Sequence, residues 1–109
     1  MSVGLPAVRA RVYLRDSATF EEAPAHAAIR AAFEEAGARD VSVHRGIMGF
    51  DRSSGVVSAR PLRFHTDQPL VVEAVGSREQ IEAALPTVRE VLERGLITLT
   101  DVALYAPER

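Results

Sequence analysis

Two arginines and two glycines lie close together near the middle of the sequence, and their types suit the binding of an anion. The stretch VHRGIMGFDRSSG, residues 43–55, contains Arg45, Gly46, Gly49 and Arg52. A guanidinium binds a carboxylate or phosphate as a two-pronged donor, and glycine lets backbone N–H groups approach an anion closely. The same glycines could instead only permit a turn or a bulge. The pattern therefore leaves a ligand site and a structural corner equally open.

This stretch opens a long polar segment, residues 47–67, that carries further basic side chains. Arg60, Arg63 and His65 make the segment basic within a chain whose formal net charge is −2. A long connection in a small domain is more often functional than accidental. We predict that these three side chains contact a partner protein, although a solvated loop has the same composition. Phe50 is predicted to pack the base of the segment rather than to stack on a nucleotide base.

The composition excludes several classes of site. The chain has 109 residues and no cysteine, which excludes disulfides, thiolate metal sites and cysteine nucleophiles. All 13 basic residues are arginine, so an anion must be bound by guanidinium or backbone N–H groups. The histidines lack the spacing of a metal site, no catalytic triad pattern is present, and the acidic balance argues against nucleic acid. Because no catalytic pattern occurs, we expect a protein that is not an enzyme. Because neither a signal-peptide pattern nor an apolar run of about 20 residues occurs, we expect it to be cytoplasmic.

The hydrophobic pattern predicts the elements that position these residues. Apolar and polar residues alternate at residues 8–15, which predicts a strand with one buried face. Further strands are predicted at residues 40–46 and 68–75 and near the C-terminus, and helices at residues 24–36 and after a capping box of Ser77 and Gln80. This order predicts one α+β domain over residues 1–109 with a ferredoxin-like βαββαβ fold. Its four-stranded antiparallel sheet carries both helices on one face.

The predicted sheet also leads to expectations for single residues. The first strand is predicted to lie in the centre of the sheet, with its arginines on the face that no helix covers. Glu73 and Asp101 are expected to flank those arginines, and Val102 and Leu104 are expected to point inward. The arginine face is interpreted first as an ion-pair lattice, either solvated or packed against another subunit. An anion-binding surface is the lesser alternative.

Several segments resemble one bacterial family. The stretch RGIMGFDR, residues 45–52, resembles the R-G-I-x-G-F motif of the family named domain of unknown function 190. PAHAAI, RPLRFHTDQPLVVEAV and IEAALPTVREVLERGLITLTDV are similar to further segments of it, so the resemblance covers about residues 8–105. That family is regarded as PII-like. Gly49, Phe50 and Arg52 match three of the four positions of the G-F-G-R motif at the base of the PII T-loop.

The resemblance implies a homotrimer that senses a small anionic metabolite, such as an adenine nucleotide, between subunits. It also implies a T-loop at about residues 50–66 that acts on a partner protein. Family analogy suggests that this partner is a membrane transporter. The residues that would contact the ligand are Arg45, Gly46, Gly49, Phe50, Arg52 and Gly95. The chain departs from PII proteins after its second helix, where RGLITLTD replaces T-G-K-I-G-D-G-K and no phosphate-binding lysine occurs. The alternatives are a ligand-independent adaptor trimer and, less favoured, a small enzyme.

Overall fold

A computed structural model describes residues 4–46, 48–51, 55–58 and 68–105 of the chain. In this part of the chain the strands are β1 (Leu5–Arg15), β2 (Thr19–Phe20), β3 (Ala23–Pro24), β4 (Asp40–Arg45), β5 (Met48–Asp51), β6 (Gly55–Ser58), β7 (Pro69–Gly76) and β8 (Leu96–Leu104). The helices are α1 (Ala25–Glu35) and α2 (Arg78–Val91). Strands β4, β7, β1 and β8 form a four-stranded sheet in that order, and all neighbouring pairs are antiparallel. The predicted ferredoxin-like α+β fold is confirmed.

The core lies between one face of this sheet and the two helices. Along β1 the apolar residues are buried, whereas the arginines between them are only half-buried, as the alternation predicts. The largest fully buried side chains are Phe33, Ile29, Leu70, Ile81, Val12, Val72 and Val88. Each of these stabilises the fold by about 1.5–3 kcal/mol relative to an exposed side chain. The helices also pack against each other, so the sheet has one covered face.

The helix ends are fixed by local hydrogen bonds. In α2 the side chain of Ser77 accepts from the N–H of Gln80, and the Gln80 side chain accepts from the N–H of Ser77, which is the predicted capping box. At the end of α1, Gly37 has a φ of +91° and donates to Glu34, as expected for a glycine after a helix. Pro24, predicted inside the first turn of α1, is its N-cap residue instead, because it pairs with Thr19 in the short hairpin.

The inward-facing residues of β8 differ from the prediction. Ile97 lies opposite the buried Val12 and packs against the core, whereas Val102 lies opposite Ala7, two residues before Arg9. Val102 and, by the same alternation, Leu104 therefore lie on the arginine face, and the prediction that they point inward was wrong. The strand contains apolar residues on both faces, so its own sequence does not determine which face is buried. Its pairing with β1 does.

The polar segment was predicted to be a long loop without secondary structure, but part of it is a hairpin. In the described part of this segment, β5 and β6 pair antiparallel, with Gly49 opposite Val57 and Phe50 opposite Val56. The β-branched valines favour this extended pairing. The hairpin overlaps the start of the predicted T-loop region, residues 50–66.

The turn between β2 and β3 contains two glutamates in an unfavourable backbone conformation. Glu21 and Glu22 have φ values of +52° and +68°. They form the two-residue turn of a hairpin in which Phe20 lies opposite Ala23. Positive φ at both positions is typical of a type I′ turn, which favours Asn-Gly. The hairpin therefore forms in spite of its turn residues, and Phe20 holds it by packing against the core.

Replacing Glu21 by Asn and Glu22 by Gly is expected to raise the free energy of unfolding by about 1–2 kcal/mol, because residues other than glycine and asparagine are disfavoured at positive φ. Urea unfolding followed by circular dichroism measures this change. The control is Glu21→Gln with Glu22→Gln, which removes the same two charges and keeps the strain. Equal stability of the two double variants would contradict the explanation.

Candidate functional site

Three residues of the predicted ligand site, Arg45, Gly46 and Gly95, lie at one end of the four-stranded sheet. Arg45 ends β4 and Gly46 follows it, while Gly95 immediately precedes β8. Strands β4 and β8 are the two edges of the sheet, with β7 and β1 between them. At about 4.8 Å between neighbouring strands, the two edges are about 14 Å apart. One chain thus brings Arg45 and Gly46 together but places Gly95 at the opposite edge.

Arg45 connects three segments at this end of the sheet. Its Nη1 donates to Asp16 Oδ2 at 2.6 Å and to Gln68 Oε1 at 2.8 Å. Asp16 follows β1, and Gln68 precedes β7. The Arg45 side chain is 55% exposed, so this ion pair contributes at most about 1 kcal/mol to stability. Both bonds use Nη1, and the Nη2 and Nε groups have no hydrogen bond to any residue that the structure describes.

Backbone hydrogen bonds hold the same segments together. The N–H of Gly46 donates to the carbonyl of Pro69 at 2.8 Å, and the N–H of Asp16 donates to the carbonyl of Gln68 at 2.8 Å. A Cβ atom on Gly46 would lie 2.9 Å from Pro69 Cγ, closer than real side chains approach. The Pro69 ring passes too close to residue 46 to leave room for a side chain, which explains the glycine at this position. The φ angle of Gly46 is not in the left-handed region, so the backbone conformation alone does not require glycine.

Gly95 is required by the turn between α2 and β8. Its φ is +123°, and a Cβ atom there would lie 2.0 Å from the carbonyl oxygen of Tyr13. Any side chain at this position would force the turn away from the end of β1. Packing within one chain thus accounts for both Gly46 and Gly95, and any contact of theirs with a ligand stays a prediction.

The other predicted site residues are described in part or not at all. Gly49 and Phe50 lie in β5, in the hairpin with β6. Those outside the described residues are Arg52, Arg60, Arg63 and His65.

The arginine face holds one of its two expected ion pairs. Arg11 Nε donates to Glu73 Oε1 at 2.9 Å, as predicted. This hydrogen bond, together with one that involves Tyr13, raises the pKa of Arg11 above its usual value. Asp101, expected beside the arginines, lies opposite Val8 on the helix side and pairs with Arg78. This prediction was wrong for the same reason as that for Val102: the two faces of β8 are the reverse of those predicted.

Sequence reasoning missed a serine and histidine pair on edge strand β4. Ser42 Oγ and His44 Nε2 are 2.9 Å apart. The two residues alternate along the strand and so share one face, a spacing that could have revealed the pair. Both residues are outside the core, and no hydrogen bond within the described chain links His44 to a carboxylate, as a catalytic triad requires. Among the described residues, no three His, Cys, Asp or Glu side chains form a group that could hold a metal ion.

A groove of about 270 Å³ lies at the opposite end of the sheet, where α2 begins. Its lining includes Pro6, Ser77, Arg78 and Asp101. None of the predicted ligand residues lines it. Neither helix in the described part of the chain is long and apolar enough to cross a membrane.

The sequence of this chain matches one protein family over nearly its whole length. Residues 7–104 match the model of the family DUF190, described as "Uncharacterized ACR". A UPF0166 protein of Methanocaldococcus jannaschii is 30% identical over 99 residues, which are 90% of this chain and 91% of that protein. A UPF0166 protein of Aquifex aeolicus is 26% identical over 92 residues, which are 84% of this chain and 87% of that protein.

Solved structures with a similar fold include a nitrogen regulatory PII-like protein. CPII of Thiomonas intermedia K12, a nitrogen regulatory PII-like protein bound to ADP, AMP and bicarbonate, is similar with a TM-score of 0.72 and 15% identity, over 94% of this chain and 92% of that chain. The GlnK–ATP complex of B. subtilis gives a TM-score of 0.56 and 13% identity, over 89% and 82% of the two chains. At these identities the likeness establishes a PII-like fold.

Gly95→Ala is expected to lower the free energy of unfolding by about 2–4 kcal/mol, because it adds backbone strain to a collision with Tyr13. Gly46→Ala should lower the free energy of unfolding by a smaller amount, because the added Cβ atom would collide only with the Pro69 ring. Urea unfolding of both variants measures the difference. A Gly95→Ala protein as stable as the wild type would show that the turn after α2 does not constrain this position.

Proposed function

The chain belongs to the DUF190 family, and on that premise we propose that it is a PII-like regulatory module that binds a small anion between the subunits of a homotrimer. The ligand class is an adenine nucleotide or another small anionic metabolite. The module acts in the cytoplasm, without catalysis and without nucleic acid, on a partner protein.

The observation that carries this proposal is the guanidinium of Arg45. It is held at the end of β4 by two bonds through Nη1 and is more than half exposed. A fixed guanidinium with further N–H donors toward solvent is suited to a carboxylate or phosphate. The fold supports the nucleotide class, because CPII, with the same fold, binds ADP, AMP and bicarbonate.

The separation of the two edge strands supports a site between subunits. Arg45 and Gly46 belong to one edge and Gly95 to the other, about 14 Å away by strand spacing. An anion of the size of bicarbonate cannot contact both edges of one chain. In the proposed homotrimer, the turn that contains Gly95 in one copy lies beside β4 of the next.

The proposed output is the segment at about residues 50–66. The ligand favours one arrangement of this T-loop, which shifts its population. Arg60, Arg63 and His65 then contact the partner, which by family analogy is a membrane transporter. Arg52, Gly49 and Phe50 belong to the proposed ligand contacts at the base of this segment.

A ligand-independent adaptor is the second candidate, and one observation favours it. Packing within the chain accounts for Gly46 and Gly95, and Arg45 already has Asp16 and Gln68 as partners. None of these three residues requires a ligand to explain its place. An adaptor homotrimer would bind its partner equally well with and without metabolites.

The wild-type protein is expected to gain thermal stability with one of ATP, ADP, AMP, a cyclic nucleotide, S-adenosylmethionine or bicarbonate. A ligand at 100 times its Kd adds about 2.7 kcal/mol, because it binds only the native state. Thermal shift identifies the ligand, and calorimetric titration then measures its affinity and its stoichiometry per subunit. Arg45→Ala should reduce that affinity about tenfold or more, the loss expected for a charge-assisted bond.

Arg30→Ala is the matched control. Arg30 also pairs with a carboxylate, Glu34 at 2.8 Å, and is similarly exposed at 45%, but it lies on α1, away from the site. It should leave the affinity unchanged. No response of the folded wild-type protein to the whole panel would reject the sensor and favour the adaptor. An equal loss of affinity in Arg45→Ala and Arg30→Ala would reject the role of Arg45 in ligand binding.

A further inference from the structure

Two acceptors of different charge meet the guanidinium of Arg45. The strands β1 and β4 both run antiparallel to β7, so both of them end at the same end of the sheet. There Arg45 Nη1 donates to the carboxylate of Asp16 at 2.6 Å and to the neutral side-chain carbonyl of Gln68 at 2.8 Å. An anion bound by Arg45 therefore shares the guanidinium with a carboxylate that belongs to the chain itself.

The carboxylate of Asp16 is fixed in this position. Its side chain is only 25% exposed, and its backbone N–H donates to the carbonyl of Gln68 at 2.8 Å. An anion that binds Arg45 through Nε and Nη2 lies roughly 6–7 Å from this carboxylate, with one hydrogen bond on each side of the guanidinium. That separation is shorter than the Debye length at physiological salt, so the two negative charges repel each other with little screening.

The charges at this end of the sheet favour a ligand with little negative charge. The segment that connects β1 to α1 contains three carboxylates, Asp16, Glu21 and Glu22, and no arginine. Arg45 and Arg52 are the two cations among the proposed ligand contacts. With Asp16 opposed to them they leave one net positive charge, which a singly charged anion balances.

The other described arginines at this end do not change that balance. Arg15, which ends β1, lies opposite Pro69, whereas Arg45 lies opposite Leu70, so the two arginines occupy opposite faces of the sheet. Arg94, in the turn before β8, follows Glu93, and their charges cancel. In the proposed homotrimer, that turn therefore adds no net charge beside β4 of the next copy.

We infer that Asp16 is a specificity-determining residue of the proposed site and that it selects a singly charged anion over a polyphosphate. The inference rests on the proposed function and narrows its ligand class. In the ion pair with Arg45 the chain already supplies one negative charge to the guanidinium. Each further negative charge on the ligand is expected to lower the affinity about fivefold, by Coulomb repulsion at this separation in a partly exposed site.

Ligands that differ mainly in charge test this inference. Cyclic AMP carries a single negative charge, AMP carries about two, and ADP and ATP carry more. In calorimetric titrations without Mg²⁺, the affinity of the wild-type protein should fall along this series, about fivefold per charge. Asp16→Asn keeps the shape and the acceptor oxygen of the side chain. It should raise the affinity for ATP at least about tenfold more than the affinity for cyclic AMP. Bicarbonate and sulfate provide the same comparison with small anions.

The neutral acceptor Gln68 allows the reciprocal change. Gln68→Glu adds a carboxylate at the same guanidinium nitrogen, so it should lower the affinity for ATP more than the affinity for cyclic AMP. The double variant Asp16→Asn with Gln68→Glu exchanges the two acceptors and should restore the wild-type order of affinities. A purely structural role of Asp16 would instead change all affinities by the same factor. Circular dichroism confirms that each variant folds.

Glu34→Gln is the control for net charge. Glu34 is an exposed carboxylate paired with Arg30 at 2.8 Å, and it lies near the end of α1, away from the end of β4. The variant removes one negative charge from the chain, as Asp16→Asn does. It should leave the order of affinities unchanged.

The outcomes distinguish this inference from the proposed function. A wild-type protein that binds ATP more tightly than cyclic AMP overturns the selection by Asp16, as does an Asp16→Asn variant whose affinities all change equally. Both results keep the proposed anion site. Binding of ATP by Asp16→Asn but not by the wild type supports the selection. If neither protein binds any of these anions, the proposed site is rejected, and the role of Asp16 with it.

Discussion

The register of β1 with its two neighbours is the constraint on which the rest of this structure depends. Val12 lies between Val72 and Ile97, and the adjacent Arg11 lies between Glu73 and Thr98. A slip of one residue would move the arginines of β1 into the core and its valines to the open face. The cost of burying unpaired guanidinium groups excludes that alternative. The helices can therefore cover only the apolar face, and the arginine face stays without a helix.

The candidate site is a consequence of the same register. Because β1 ends beside the start of β7, Asp16 reaches the arginine that ends β4, and the carbonyl of Tyr13 meets the turn before β8. The Arg45–Asp16 ion pair, the backbone hydrogen bonds and the close contacts of Gly46 and Gly95 all lie at the ends of strands. A ligand bound there would sense the positions of three strands at once. In the proposed function, this arrangement would couple the site to the segment between β4 and β7.

Much of the fold could be predicted from the sequence because local patterns determine it. The alternation in β1 and the Ser77–Gln80 capping box depend on residues close in sequence. Which face of β8 is buried could not be predicted, because the strand carries apolar residues on both of its faces. Only its pairing with β1 determines which of them point into the core. For the same reason Asp101 was assigned to the wrong face. The site was predicted as a set of residue types, but the 14 Å between its two edges follows only from the strand order.

Arg9 and Arg45 show how the surroundings of an arginine limit what it can bind. Arg45 is more than half exposed, so water satisfies its outer donors and an anion can displace that water at little cost. Arg9 Nε is closed to water, and an acceptor that exchanges with solvent cannot reach it. An exposed guanidinium therefore suits a ligand that comes and goes, whereas a donor closed to solvent is closed to any acceptor from outside the chain. The solvent access of each donor group, more than its charge, makes Arg45 rather than Arg9 the arginine proposed for the ligand site.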